Sequence, residues 1–182
     1  MPPTGPRWTP TRRHDRPPVT AARVRPTSRV LVLDRQQRVL LLGSRGLATA
    51  PGADVQWWYT PGGGVEDGED LRTAAVRELA EEIGLLVSPT ELEGPVWFRR
   101  HLTPWGGEIV DSRETYFVLR DVEHEVDVSG RTAQELADDE PHRWWTLAEI
   151  AAGTADFAPS ALAEVLPVVL KGPWTGPPRI VD

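Results

Sequence analysis

The sequence predicts a single α/β domain, and three observations point to it. Two β-rich runs near residue 30 are joined by a short polar turn, one strongly periodic helix starts after Asp70, and strand-like and helical runs alternate from there on. A chain of 182 residues is long enough for one domain with a substantial core. Its 40% hydrophobic and 26% charged content is that of an ordinary globular protein. No apolar run approaches the roughly 20 residues that a membrane helix needs, so no membrane partner is expected and the expected compartment is the cytoplasm. The absence of cysteine excludes disulfides, thiolate zinc sites and a cysteine nucleophile.

The formal net charge of −7 hides an asymmetry. Residues 1–29 carry seven arginines against the single acid Asp15, a local +6 that leaves −13 on the remainder. Binding along a nucleic-acid backbone is not expected of so acidic a body, because such binders carry a basic footprint on the folded face. Residues 1–26 read as a Pro/Arg-rich arm, with neither the apolar core of a secretory signal nor an amphipathic targeting helix. Residues 27–182 read as the domain, and the arm leaves room for a homodimer in which it packs across a second copy.

Taken in order, "RVLVL" (residues 29–33) and "RVLLL" (residues 38–42) predict a hairpin turned by "DRQQ". The segment "WWYTPGGG" (residues 57–64) is aromatic and ends in Pro-Gly punctuation. Leu71, Ala74, Ala75, Leu79 and Ile83 then recur at helical spacing, with Gly84 where a C-cap belongs. "GPVWFRRHLT" and "ETYFVLR" predict two further strands separated by "PWGGEIVDSR", and an acidic, largely irregular stretch follows over residues 121–142. "RWW" reads as a short strand and "TLAEIAAG" as a short helix with Thr146 as N-cap and Glu149 closing a capping box. "APSALAEVLPVVLKG" reads as a last helix bent or shortened by Pro167, and "PWTGPPRIVD" as an irregular tail.

The charge on the first helix demands a reason. Glu78, Glu81 and Glu82 are offset by three and four residues, which predicts three carboxylates on one face within reach of a common point. Like charges at that spacing repel, and a solvated acidic face is the plain alternative. A hard divalent cation, Mg²⁺ or Mn²⁺, reverses the sign, because it binds carboxylate oxygens and keeps waters for substrate phosphates.

More than one pair is in register. Gly63, Glu69, Arg77-Glu78-Leu79, Glu81-Glu82 and Gly84-Leu85, at gaps of five, seven, one and one residues, resemble the Nudix box in full. Trp58, Pro61 and Gly62 resemble the entry into that box, residues 29–45 the family's opening strands and "RWWTLAEI" its closing strand and helix, so the likeness covers residues 27–152. The resemblance implies an α/β/α sandwich around a mixed β-sheet, with the box forming a loop and helix at the edge of a substrate cleft. It implies metal-dependent hydrolysis of a phosphoanhydride in a small-molecule nucleotide, a nucleoside diphosphate linked to another moiety. Glu78, Glu81 and Glu82 would be the metal ligands, with the Gly63 carbonyl as a further one. Arg77 and Glu69 would form an ion pair that ties loop to helix and orients Glu78. The general base would be Glu78 or a distal acid, for which Glu135 and Glu140 compete.

Phosphate contacts need cations, and Arg45, Arg99 and Arg100 are the candidates because guanidinium binds phosphate bidentately. Of the eight tryptophans, Trp105 in a Pro-Gly context is the candidate rim aromatic, whereas Trp57, Trp58, Trp144 and Trp145 read as core. The histidines have no metal-ligand spacing. The proline that marks ADP-ribose hydrolases would fall at His101 and the tyrosine that marks diadenosine polyphosphate hydrolases at Leu102, so the substrate stays open among nucleoside triphosphates, nucleotide sugars and dinucleotides. An isomerase of this fold would use a cysteine, which is lacking; a non-catalytic nucleotide-sensing module is the remaining alternative.

Overall fold

Residues 30–33 and 39–42 are apolar at every position, and every one of them is buried. A strand with both faces covered reads as such an unbroken run instead of an alternation. The computed structural model describes residues 22–44, 57–105, 108–130 and 141–182, with the backbone alone at Trp105. In it the two runs lie in β1 (Arg23–Asp34) and β2 (Val39–Ser44), antiparallel, with Leu33 opposite Val39. Asp34 builds the turn between them, its Oδ1 accepting from the Gln36 and Arg38 amides at 2.9 and 2.8 Å and its Oδ2 from Arg38 Nε at 2.6 Å. Strand β1 begins at Arg23 and so includes residues 23–26 of the stretch read as an arm.

Further strands are β3 (Trp57–Tyr59), β4 (Gly62–Gly64), β5 (Glu93–Trp105), β6 (Glu108–Val122), β7 (His142–Trp145), β8 (Phe157–Ala158) and β9 (Arg179–Val181). The helices are α1 (Leu71–Ile83), α2 (Leu147–Ala151) and α3 (Leu162–Leu170). The sheet runs β8-β3-β2-β1-β6-β5-β9, with β4 also on β1 and β7 on β2. It is mixed: β1 with β6, β3 with β8 and β5 with β9 are parallel, and the other pairs are antiparallel.

Alternation along the strands makes two cores. Val30, Val32, Leu40 and Leu42 pack with Ala75, Leu79 and Ile83 of α1 on one face. Leu31, Leu33, Val39 and Leu41 pack with Ile150 of α2 and Leu162, Leu166 and Val169 of α3 on the other. The result is an α/β/α sandwich. Helix α1 is closed at both ends, by the Asp70 carboxylate accepting from the Arg72 and Thr73 amides and by Gly84 in the left-handed region. Thr146 and Glu149 form the reciprocal capping box of α2.

Two expectations change. Residues 104–113, read as a separator, belong mostly to the β5–β6 hairpin, whose pairing runs from Arg100 opposite Arg113 to Trp105 opposite Glu108. The tail read as irregular contributes β9, parallel to residues 97–99, with Val181 buried and Ile180 facing out. Pro167 lies inside the nine-residue α3.

Leu79 is fully buried between α1 and the sheet. Leu79→Ala is expected to lower unfolding free energy by about 2–5 kcal/mol, read from the urea midpoint at unchanged slope.

Candidate active site

The loop that precedes α1 is pressed onto β1. Gly62, Gly63 and Gly64 pair with Arg29, Ser28 and Thr27. At Gly62, φ is +127° and a Cβ would meet the Ser28 carbonyl oxygen at 2.1 Å, so only glycine fits. A Cβ on Gly63 would stand 2.5 Å from a carboxylate oxygen of Glu78. The bare glycine backbone therefore lets that acid lie against the loop.

One guanidinium ties this loop to the helix. Arg77 donates to both oxygens of Glu69 at 3.1 and 3.0 Å and to the Gly64 carbonyl at 2.8 Å. Its remaining nitrogen donates to Glu78 at 2.9 Å and Glu81 at 3.0 Å. Hydrogen bonding to Glu69 above all holds Arg77 further above its ordinary value. Glu78 moves the other way from most carboxylates: burial pushes it up, only partly offset by the Arg77 hydrogen bond.

Glu82 is turned inward, 7% exposed, and accepts the Gly62 amide at 2.7 Å. The three glutamates thus line one wall, each engaged by a protein donor, and among the described residues no three His, Asp or Glu side chains stand grouped as metal ligands. The helical spacing sets all three along the lining of one cleft. Glu81 and Glu82 are adjacent and diverge around the helix by about 100°, and each is held by a different donor, Arg77 or the Gly62 amide. The donor chemistry is nevertheless uniform. Three carboxylates and the Gly63 carbonyl offer oxygen alone, the set that suits Mg²⁺ or Mn²⁺ and not a thiolate- or imidazole-seeking metal.

The wall bounds a cleft of about 910 Å³. Facing the acids are Arg25 and Arg29 of β1 and Arg99 of β5, with Trp57, Tyr59 and Phe157 among the aromatic lining. Under them lies Glu114 of β6, 4% exposed, which accepts from Tyr116 Oη at 2.7 Å, Arg99 at 3.0 Å and Arg29 at 3.2 Å. Burial pushes Glu114 up, but Arg29, Tyr116 and Arg99 outweigh it and leave the carboxyl below its ordinary range. Arg25 is exposed, lies over Gly64, and has no side-chain hydrogen bond or ion pair among the described residues.

Several expected site residues stand elsewhere. Strand alternation sends Arg99 to the cleft and Arg100 to the opposite face, where Asp111 holds it at 2.7 Å. Arg45, Glu135 and Glu140 lie outside the described residues, and for Trp105 only its position at the end of β5 is described. Trp145 and Trp58 are packed edge to face in the core at 5.1 Å, but Trp57 faces the cleft and is 37% exposed, against the expectation that it is core. Arg25, Arg29, Glu114 and Tyr116 were not expected. The signal for the two arginines is the strand period: continued back through residue 25, the alternation of β1 sets Arg25 and Arg29 on one face.

No helix among the described residues is long and apolar enough to cross a membrane. Residues 23–167 match the family described as NUDIX domain. An RNA pyrophosphohydrolase of Dinoroseobacter shibae is 36% identical over 88 residues, 44% of this chain and 55% of that protein. Nudix hydrolase 25 of Arabidopsis thaliana is 34% identical over 103 residues, 52% of this chain and 57% of that one. The chain thus spans little more than half the length of these curated relatives. Among solved structures, the MutT protein of Methanosarcina mazei superposes with a TM-score of 0.56 at 18% identity, covering 84% of this chain and 99% of that one, which is a likeness of fold. Because the NUDIX domain match spans residues 23–167, well over half of the chain and the whole box, the chain belongs to the Nudix domain family.

Proposed function

We propose that the protein is a hydrolase that cleaves a phosphoanhydride bond in a nucleotide, a nucleoside diphosphate linked to a further group, with Mg²⁺ or Mn²⁺ as cofactor. One observation carries this reading: one cleft in which an all-oxygen acidic wall faces Arg25, Arg29 and Arg99 beside the rings of Trp57, Tyr59 and Phe157. Family membership and the pyrophosphohydrolase activity in a relative's name support it.

Glu78, Glu81, Glu82 and the Gly63 carbonyl would hold the cation. When bound, it would supply charge neutralisation of the diphosphate and activation of water. The chain's own residues do the rest. Arg25, with no side-chain hydrogen bond or ion pair among the described residues, takes substrate phosphate, and Arg99 supplies a second positive edge to the same cleft. Trp57 at the mouth stacks a base or sugar face. Glu78, whose buried carboxylate is the more basic for its surroundings, accepts the proton of the attacking water; Glu140 is the alternative base. Arg77 and Glu69 keep that carboxylate against Gly63.

The chemistry of the anhydride is common to free nucleotides and to a 5′-triphosphorylated RNA end. The relative named RNA pyrophosphohydrolase favours adding the latter to the candidates, although the acidic body argues against extended backbone contacts. The deciding experiment is a metal-supplemented screen of nucleoside triphosphates, nucleotide sugars, dinucleotide polyphosphates and a 5′-triphosphorylated oligonucleotide, with products identified. Tight binding without cleavage would favour the nucleotide-sensing alternative.

Three outcomes are expected on the substrate so found. Glu82→Gln loses on the order of a hundredfold or more in kcat with cooperative melting retained; full activity would remove Glu82 from the ligand set. Arg25→Ala raises KM about tenfold, the loss of one charge-assisted hydrogen bond. In pH–rate profiles, Glu78→Gln abolishes the acidic limb whereas Glu140→Gln keeps it, and the reverse result would move the base to Glu140.

A further inference from the structure

The acidic wall is gripped from the sheet as well as from the helix. Arg29 directs its Nε to Glu114 at 3.2 Å and its NH1 to two carbonyls of the loop, Thr60 at 3.2 Å and Gly62. The amide of that same Gly62 donates to Glu82 at 2.7 Å. One residue is therefore held on both sides, its carbonyl by Arg29 and its N–H by Glu82. It has no room to slide, because the Ser28 carbonyl already fills the space a Cβ would take.

From this chain of contacts we infer that Glu114 is a positioning residue: it locks the Arg29 guanidinium onto the Thr60 and Gly62 carbonyls and thereby fixes the amide that aims Glu82. The inference rests on the proposal that Glu82 is a metal ligand. A guanidinium with only carbonyl partners can swivel about its long stem. Pinning a second edge to a carboxylate fixes its plane, which is what a fork of donors allows and a point charge does not. Tyr116 and Arg99, bound to the same carboxylate, fix Glu114 in turn. Stability alone is a poor reason for such a group. A buried ion pair is often replaceable by apolar side chains without loss, so its value here lies in where it holds the loop. Outer partners of metal ligands act in this way, and their removal weakens metal affinity.

The test is Mn²⁺ binding to the free protein, followed by the electron paramagnetic resonance of unbound Mn²⁺, with thermal melting on the same samples. Glu114→Gln keeps the shape and removes the charge. It is expected to weaken Mn²⁺ binding by about 10–100-fold while the protein still melts cooperatively. A lowered Tm with unchanged Mn²⁺ affinity overturns the inference, because it assigns Glu114 to the fold alone. Should Glu114→Gln not fold, Arg29→Lys, which keeps the charge but engages only one of the partners, must show the same loss, and an unchanged affinity there overturns it equally. Wild-type protein that binds no Mn²⁺ sinks the metal-site reading and this inference with it. Wild-type binding matched by both variants sinks this inference alone.

Discussion

The site depends on the guanidinium of Arg77. Its five hydrogen bonds reach Glu69, Gly64, Glu78 and Glu81, joining the loop before the helix to two successive turns of the helix itself. Three carboxylates in such proximity repel one another, and the repulsion grows as water is withdrawn. A planar cation with five donors is the one side chain able to satisfy several of them together without leaving an acceptor bare. The helix also needs the anchor because its buried stripe, Ala74, Ala75, Leu79 and Ile83, fixes its depth against the sheet but does not hold the loop.

A second group of charges repeats the arrangement in the opposite sense. Beneath the cleft a carboxylate, Glu114, gathers two arginines and a tyrosine, whereas above it an arginine gathers three glutamates. Gly62 links the lower cluster to the helix, its carbonyl accepting from Arg29 and its amide donating to Glu82. Arg25 stands outside both clusters and lines the cleft between them. The sheet thus presents positive charge and the helix negative charge across one cavity.

Much of the scaffold was legible because local rules and global packing agree there. The unbroken apolar runs at residues 30–33 and 39–42 required burial on two faces, and the caps at Asp70, Gly84 and Thr146 marked helix ends by short-range hydrogen bonding. The edges were less legible. Strand β9 is a three-residue segment among prolines and glycines, and only the neighbouring β5 makes it a strand. Residues 108–113 carry a mixed polar pattern that misled for a related reason. Asp111 and Ser112 are buried polar groups, so the stretch lacks the apolar alternation of a strand.

What the sequence determined by itself is the box: the helix, its apolar stripe, the oxygen-rich donor set and the loop glycines all follow from spacing within about twenty residues, where helical geometry converts sequence offset into direction. The tertiary structure decided which cations serve that box. Arg99 and Arg100 are chemically identical neighbours, yet the strand period sends one to the cleft and the other to Asp111. Arg29 and Glu114, 85 residues apart, meet only because β1 runs parallel to β6 in one particular register. Contacts between strands distant in the chain depend on register, and register is set by the burial of whole faces, so no local pattern around either residue could announce their pairing.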